Sequence, residues 1–180
     1  MKSLKLDSHV LGIKTGLINI NNEESTFKSL MALNSESNFC QIIPAHTATS
    51  FFQVFAALEQ TNYAFETKTN FLKKKELEFL LRFYGTKQIN KALKRAQLNK
   101  GKNNVLLICA QKNKKRLSTL FKIAQKNLDF KVQDFPIGKN KKEIMKLYNV
   151  SENELKTLKY QKNPLEKIVV EKNSLVVFET

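Results

Sequence analysis

The chain has 180 residues, 42% hydrophobic and 26% charged, with 31 Lys+Arg against 16 Asp+Glu and a formal net charge of +15. This length and apolar fraction exclude a disordered chain and predict one soluble domain over 1–180. No apolar run approaches the roughly 20 residues of a membrane span, and the start Met1-Lys2-Ser3-Leu4-Lys5 lacks the apolar region of a signal peptide. All the cations but Arg82, Arg95 and Arg116 are Lys. An AT-rich genome also writes such a composition, so the charge permits a nucleic-acid partner without establishing one.

In chain order, a short strand is predicted at Ser3–Leu6 and a longer one at Val10–Ile18. Phe27, Leu30, Met31 and Leu33 recur at helical spacing over about 23–34. Phe39–Ile43 reads as a strand stopped by Pro44, which has no N–H for a ladder. Phe51, Phe52, Phe55, Ala56 and Leu58 mark a helix over Thr47–Thr61, with the phenylalanine stripe expected in the core. A loop through Asn62–Asn70 leads to a helix over Lys74–Tyr84, ended by Gly85. Thr86 then caps a helix whose apolar face is Ile89, Ala92, Leu93 and Ala96. Asn103–Ala110 is a strand whose five consecutive apolar residues, Val105 to Cys109, imply burial on both faces. Asn113 opens a helix with Leu117, Leu120, Phe121 and Ala124 inward. Phe130–Val132 is a brief strand, and Lys141–Asn149 a short helix. Ser151 and Glu154 form a capping box, Pro164 opens a helix through about Lys172, and Leu175–Phe178 is a closing strand. The alternation predicts an α/β (α+β) fold: a mixed, largely buried sheet packed with several helices.

Catalytic machinery is sparse. Cys40 and Cys109 each sit in an apolar run, as buried reduced thiols would, and no CxxC or Cys/His cluster is present to hold zinc. His9 and His46 lack metal-site spacing, and the five glycines trace no phosphate-cradling loop. Glu76 and Glu78 fall on different helix faces and make a poor acid/base pair. No catalytic residue, metal ligand or cofactor site is expected.

The segment Glu78-Phe79-Leu80-Leu81-Arg82-Phe83-Tyr84-Gly85-Thr86-Lys87-Gln88-Ile89-Asn90-Lys91-Ala92-Leu93 resembles the signature of the TPRKB-type (PRPK-binding) small subunit of the KEOPS complex. In that family a Glu-led apolar helix precedes a Gly turn, then a polar stretch with Gln-Ile and an Ala-Leu helix. The order of the other elements, from Val10 to Glu179, is similar to that family as well. The loop Thr61–Lys75 matches loosely, and this chain is richer in Lys. The resemblance implies a non-catalytic subunit of the machine that installs threonylcarbamoyl on the adenosine beside the anticodon of ANN-decoding tRNAs. It implies binding to the PRPK-like kinase/ATPase subunit and, as in archaeal members, to the single-stranded 3′ CCA end of tRNA. A monomer within a larger complex is expected, in the cytoplasm and, in a eukaryote, also in the nucleus.

Single-stranded RNA is held by cations along its backbone and by planar surfaces under its bases. Arg82 and Gln88 are the RNA-binding residues the resemblance implies. Local inference adds Lys68, Asn70, Lys87, Lys91 and Arg95, with Lys73-Lys74-Lys75 nearby and Phe71, Phe83 and Tyr84 as stacking candidates. Each also has a structural role open to it: Arg82 could complement its helix dipole, Phe83 and Tyr84 could be core, and the lysines a solvated face. Two other readings stand beside RNA recruitment. One is a structural adaptor of the kinase/ATPase subunit with no RNA contact. The other is an enzyme without a recognisable motif, which the poverty of His, Asp and Cys disfavours.

Overall fold

The computed structural model describes residues 2–5 and 9–176. Its elements are β1 (Lys2–Lys5), β2 (Val10–Ile20), α1 (Glu23–Met31), β3 (Phe39–Pro44), a 3-10 turn (Ala45–Thr47), α2 (Phe51–Glu66), α3 (Lys75–Tyr84) and α4 (Ile89–Ala96). There follow β4 (Gly101–Gln111), α5 (Lys114–Asn127), β5 (Lys131–Val132), α6 (Lys141–Leu147), α7 (Glu152–Thr157) and α8 (Pro164–Leu175). The α/β class is the one expected. The chain packs as two compact units, Met1–Ala45 with Gln97–Pro136, and His46–Ala96 with Ile137–Thr180.

The first unit is a sheet in the order β1-β2-β4-β3, with β5 also paired to β2. Every pairing among the described strands is antiparallel, which corrects the expected mixed sheet. The apolar run of β4 signals burial on both faces, and burial says nothing about the direction of the neighbouring strand. The long pair β2–β4 runs from Val10 opposite Gln111 to Ile20 opposite Gly101. Alternate residues of β4 (Val105, Leu107, Cys109) meet Leu117, Leu120, Phe121 and Ala124 of α5 in one core cluster. Asn113 caps α5, its side chain accepting from Arg116 N–H at 3.0 Å. Gly16 has to be glycine because Phe130 packs on the strand there: a Cβ would collide with that ring and lie 2.5 Å from Lys131 O. Cys40 and Cys109 are free, buried and opposite one another on β3 and β4, with Sγ atoms 3.4 Å apart.

The second unit is helical. Ser50 caps α2 by accepting from Gln53 N–H at 3.1 Å, so the helix starts at Phe51 and not at Thr47, and it runs on to Glu66, through residues expected to be loop. The phenylalanine stripe is not its core face. Phe52 is 58% exposed, while Gln53, Val54, Ala57, Leu58, Thr61, Asn62 and Ala64 are buried. The inward position of Gln53 turns that face, because its amide is satisfied inside. Its Oε1 accepts from Thr49 N–H at 2.8 Å and its Nε2 donates to Tyr148 OH at 2.7 Å. The capping box of α7 forms as expected, and Pro164 opens α8. The predicted closing strand is corrected at Leu175, which is the last residue of α8; Val177 and Phe178 lie outside the described residues. Among the described residues no helix is long and apolar enough to cross a membrane.

Candidate nucleic-acid interface

The site grows from the end of α3. The last carbonyls of a helix have no partner within it and must find one elsewhere. Gly85 ends α3 in the left-handed conformation, at φ +58°, which a side chain adopts at a cost. A Cβ there would also sit 2.5 Å from Asn173 Oδ1 of α8. The freed carbonyls are met by side chains. Phe83 O accepts from Asn173 Nδ2 at 2.6 Å and from Gln53 Nε2 at 3.3 Å, and Tyr84 O accepts from Arg95 Nη1 at 2.7 Å. Tyr148 OH lies 3.0 Å from Thr47 O, and Tyr84 OH is 3.2 Å from Thr47 Oγ1. Burial pushes both phenols above the ordinary tyrosine value; the proximity of Tyr84 adds to the effect on Tyr148, while the Thr47 bond and Arg95 oppose it at Tyr84. Both therefore act as neutral hydroxyls that hold the turn, and neither is a base.

Above this polar floor lies a cleft of about 610 Å³. Lys87, Gln88 and Lys91 of the turn and α4 line it with Arg95, and Asn149 and Lys172 close it from the other side. Among the described residues no carboxylate lines it. Thr86 fixes the entry to α4, its hydroxyl accepting from Gln88 N–H at 3.2 Å. Lys172 is tied down, donating to Asn149 O at 2.6 Å and pairing with Glu154 at 2.8 Å. The Lys172 bond, with two bonds from Ser151, holds the Glu154 carboxyl at about 2, well below the usual carboxylate range. The cleft thus offers several cations and two amides to an anionic ligand. Among the described residues no group of three or more His, Cys, Asp or Glu is placed to hold a metal.

Of the seven residues predicted for RNA, four converge here: Lys87, Gln88, Lys91 and Arg95. Lys68 is exposed, and Asn70, half-buried, donates to Leu72 O at 3.0 Å; neither lines the cleft. Arg82 requires a correction. It is 2% exposed, and its Nε and Nη2 both donate to Glu78 Oε1, at 2.9 and 2.7 Å. The pair lies on one face of α3 at i,i+4 spacing, so Arg82 is spent inside and does not present a cation to RNA. Phe83 and Tyr84 are core, stacked at 5.8 Å on Phe79 and edge-on to one another at 4.9 Å respectively, whereas Phe71 is surface-exposed. Asn149, Lys172 and Asn173 were not anticipated. The one sequence signal was Asn173 itself, a polar residue four places after Val169 on the inward face of α8.

The family model for the kinase binding protein CGI-121 matches residues 17–175. The chain belongs to this family. No curated protein matches it. A CGI-121 member needs a surface for its kinase, and large apolar side chains stand exposed on the helical unit, among them Phe52 and Tyr63 of α2.

Proposed function

We propose that this kinase-binding chain is a non-catalytic subunit of the KEOPS complex. In this reading it binds the PRPK-like kinase/ATPase subunit and recruits tRNA through the single-stranded 3′ CCA end, in support of threonylcarbamoyladenosine formation. The observation that carries the RNA part is the cleft of about 610 Å³, whose lining collects Lys87, Lys91 and Arg95, with no carboxylate among the described lining residues and Lys172 paired to Glu154 at its edge. Cations supply backbone affinity, and the amides of Gln88 and Asn149 offer paired donors and acceptors for splayed base edges. Kinase binding itself is the family's described property.

The test is equilibrium binding of intact tRNA and of tRNA trimmed of its CCA end, over a salt series. Three phosphate contacts give a slope of log K against log salt of about −2. Exchanging Lys87 and Lys91 for Glu reverses two of the lining cations and lowers affinity for intact tRNA. Equal affinity for trimmed and intact tRNA refutes CCA recognition and leaves the chain as a kinase adaptor.

A further inference from the structure

We infer that Phe71 is a base-stacking platform beside the basic cleft, held in place by a buried ion pair; the inference rests on the RNA reading of that cleft. Phe71 opens the segment that leads into α3, and the residue is 41% exposed. Single exposed aromatics are common on protein surfaces, but this one is fixed at its backbone. The N–H groups of Phe71 and Leu72 both donate to Glu78 Oε2, each at 3.0 Å, while the other oxygen of the same carboxylate grips Arg82 twice. All four bonds converge on a side chain that is 0% exposed. A buried ion pair adds little net stability over an apolar replacement, because desolvation offsets its attraction. What this pair does is pin two consecutive backbone groups of a surface segment, and the group so presented is an aromatic ring. Asn70 Nδ2 closes the same turn on Leu72 O.

The cations around the ring complete the platform. The Arg82 guanidinium carbon lies 4.9 Å from the Phe71 centroid, and Lys87 Nζ lies 5.3 Å from it. Lys87 also lines the cleft, so one flexible ammonium reaches both the ring and the cavity. A nucleobase stacked on Phe71 would therefore have its phosphate within range of a cation already committed to the neighbouring site. Stacking on a phenyl ring is tolerant of base identity and requires a base free of its duplex, which a single-stranded 3′ end provides. Arg82 acts through Phe71, as a positioning residue.

The chain contains no Trp, so Phe71→Trp places a single indole reporter at the platform. The full-length protein is titrated with a single-stranded RNA oligonucleotide ending in CCA. Phe71→Trp binds at least as tightly as the native chain, and its emission is quenched as the base stacks. Phe71→Leu, which keeps the apolar bulk and loses the aromatic face, binds roughly 5- to 150-fold more weakly. Its slope against salt stays native, because no phosphate contact is removed. The proposal is overturned if Phe71→Leu retains native affinity, if the indole emission is unchanged at saturating RNA, or if Phe71→Leu loses the kinase partner while keeping RNA. Absence of RNA binding by the native chain refutes the cleft reading as well. Loss of affinity in Lys91→Glu with none in Phe71→Leu refutes the platform alone.

Discussion

Removing the Arg82 side chain distinguishes a structural from a functional arginine. In Arg82→Met the Glu78 carboxylate keeps its two loop N–H donors and loses both guanidinium bonds, in a site with no exposure to water. Breaking a fully buried pair by deleting one partner costs about 3–5 kcal/mol, since the remaining charge is left without its counterion. With a urea m-value of about 2 kcal/mol/M, the unfolding midpoint falls by about 2 M. An internal comparison is at hand in Lys28 and Glu24, paired at 2.7 Å on α1 with the same i,i+4 spacing but with both side chains 75% exposed. Lys28→Met costs about 0.2–1 kcal/mol, as exposed pairs do. The assay is urea unfolding followed by helix circular dichroism for the native chain and both variants. Arg82→Lys falls between native and Met, because an ammonium restores the charge but not the two-pronged grip on Oε1. Equal, small losses in Arg82→Met and Lys28→Met would refute the buried assignment and return Arg82 to the surface as a candidate RNA contact.

Three other perturbations probe the scaffold. Gly85→Ala places a methyl group 2.5 Å from Asn173 Oδ1 in a left-handed turn, and it lowers stability by about 1–2 kcal/mol from backbone strain alone, a fall of about 4 °C in Tm in a thermal melt. The raised Tyr84 and Tyr148 phenols leave pH dependence flat below about 10, where both folded and unfolded states hold these protons. Above it the unfolded chain releases them first, so stability falls by about 2.7 kcal/mol per pH unit for the two groups; urea midpoints at rising pH measure this, and Tyr→Phe at both positions removes that part of the slope. Cys40 and Cys109 are buried, with burial the main cause holding the Cys109 thiol well up, so a thiol reagent labels neither cysteine in the native protein and both after denaturation.

Elements carried by local periodicity were legible in the sequence. The spacing of Leu117, Leu120, Phe121 and Ala124 located α5 and its inward face, and Ser151 with Glu154 located α7, because both signals reside within a few residues. The errors share a different origin. Three phenylalanines at the head of α2 outweigh one glutamine in any hydrophobic pattern, yet Gln53 is the inward residue, because Thr49, Phe83 and Tyr148 together satisfy its amide. Phe83 comes from α3 and Tyr148 from the turn that ends α6, and no local pattern contains them. Arg82 shows the same limit in smaller form: its i,i+4 relation to Glu78 was visible, but whether such a pair is a weak surface contact or a buried clamp depends on what covers it. The cleft needed Asn149, Lys172 and Asn173, which stand more than fifty residues beyond Arg95 in the chain.

The net charge of +15 therefore divides by environment and not by sequence position. Arg82 is neutralised inside by Glu78, and Lys172 by Glu154 at the edge of the cleft. The carbonyls at the end of α3 are met by neutral amides and hydroxyls and by one arginine, and among the described residues this arrangement brings no carboxylate to the cavity wall. A wall built this way is held by neutral groups and Arg95, and Lys87 and Lys91 line the same cavity. Lysines spread over a solvated surface attract any polyanion weakly, and salt screens them within about 10 Å. In the proposed reading, Lys87, Lys91 and Arg95, gathered around one cavity, act on the same ligand together. It is this gathering of cations around one cavity, more than the excess of lysine along the chain, on which the proposed RNA site rests.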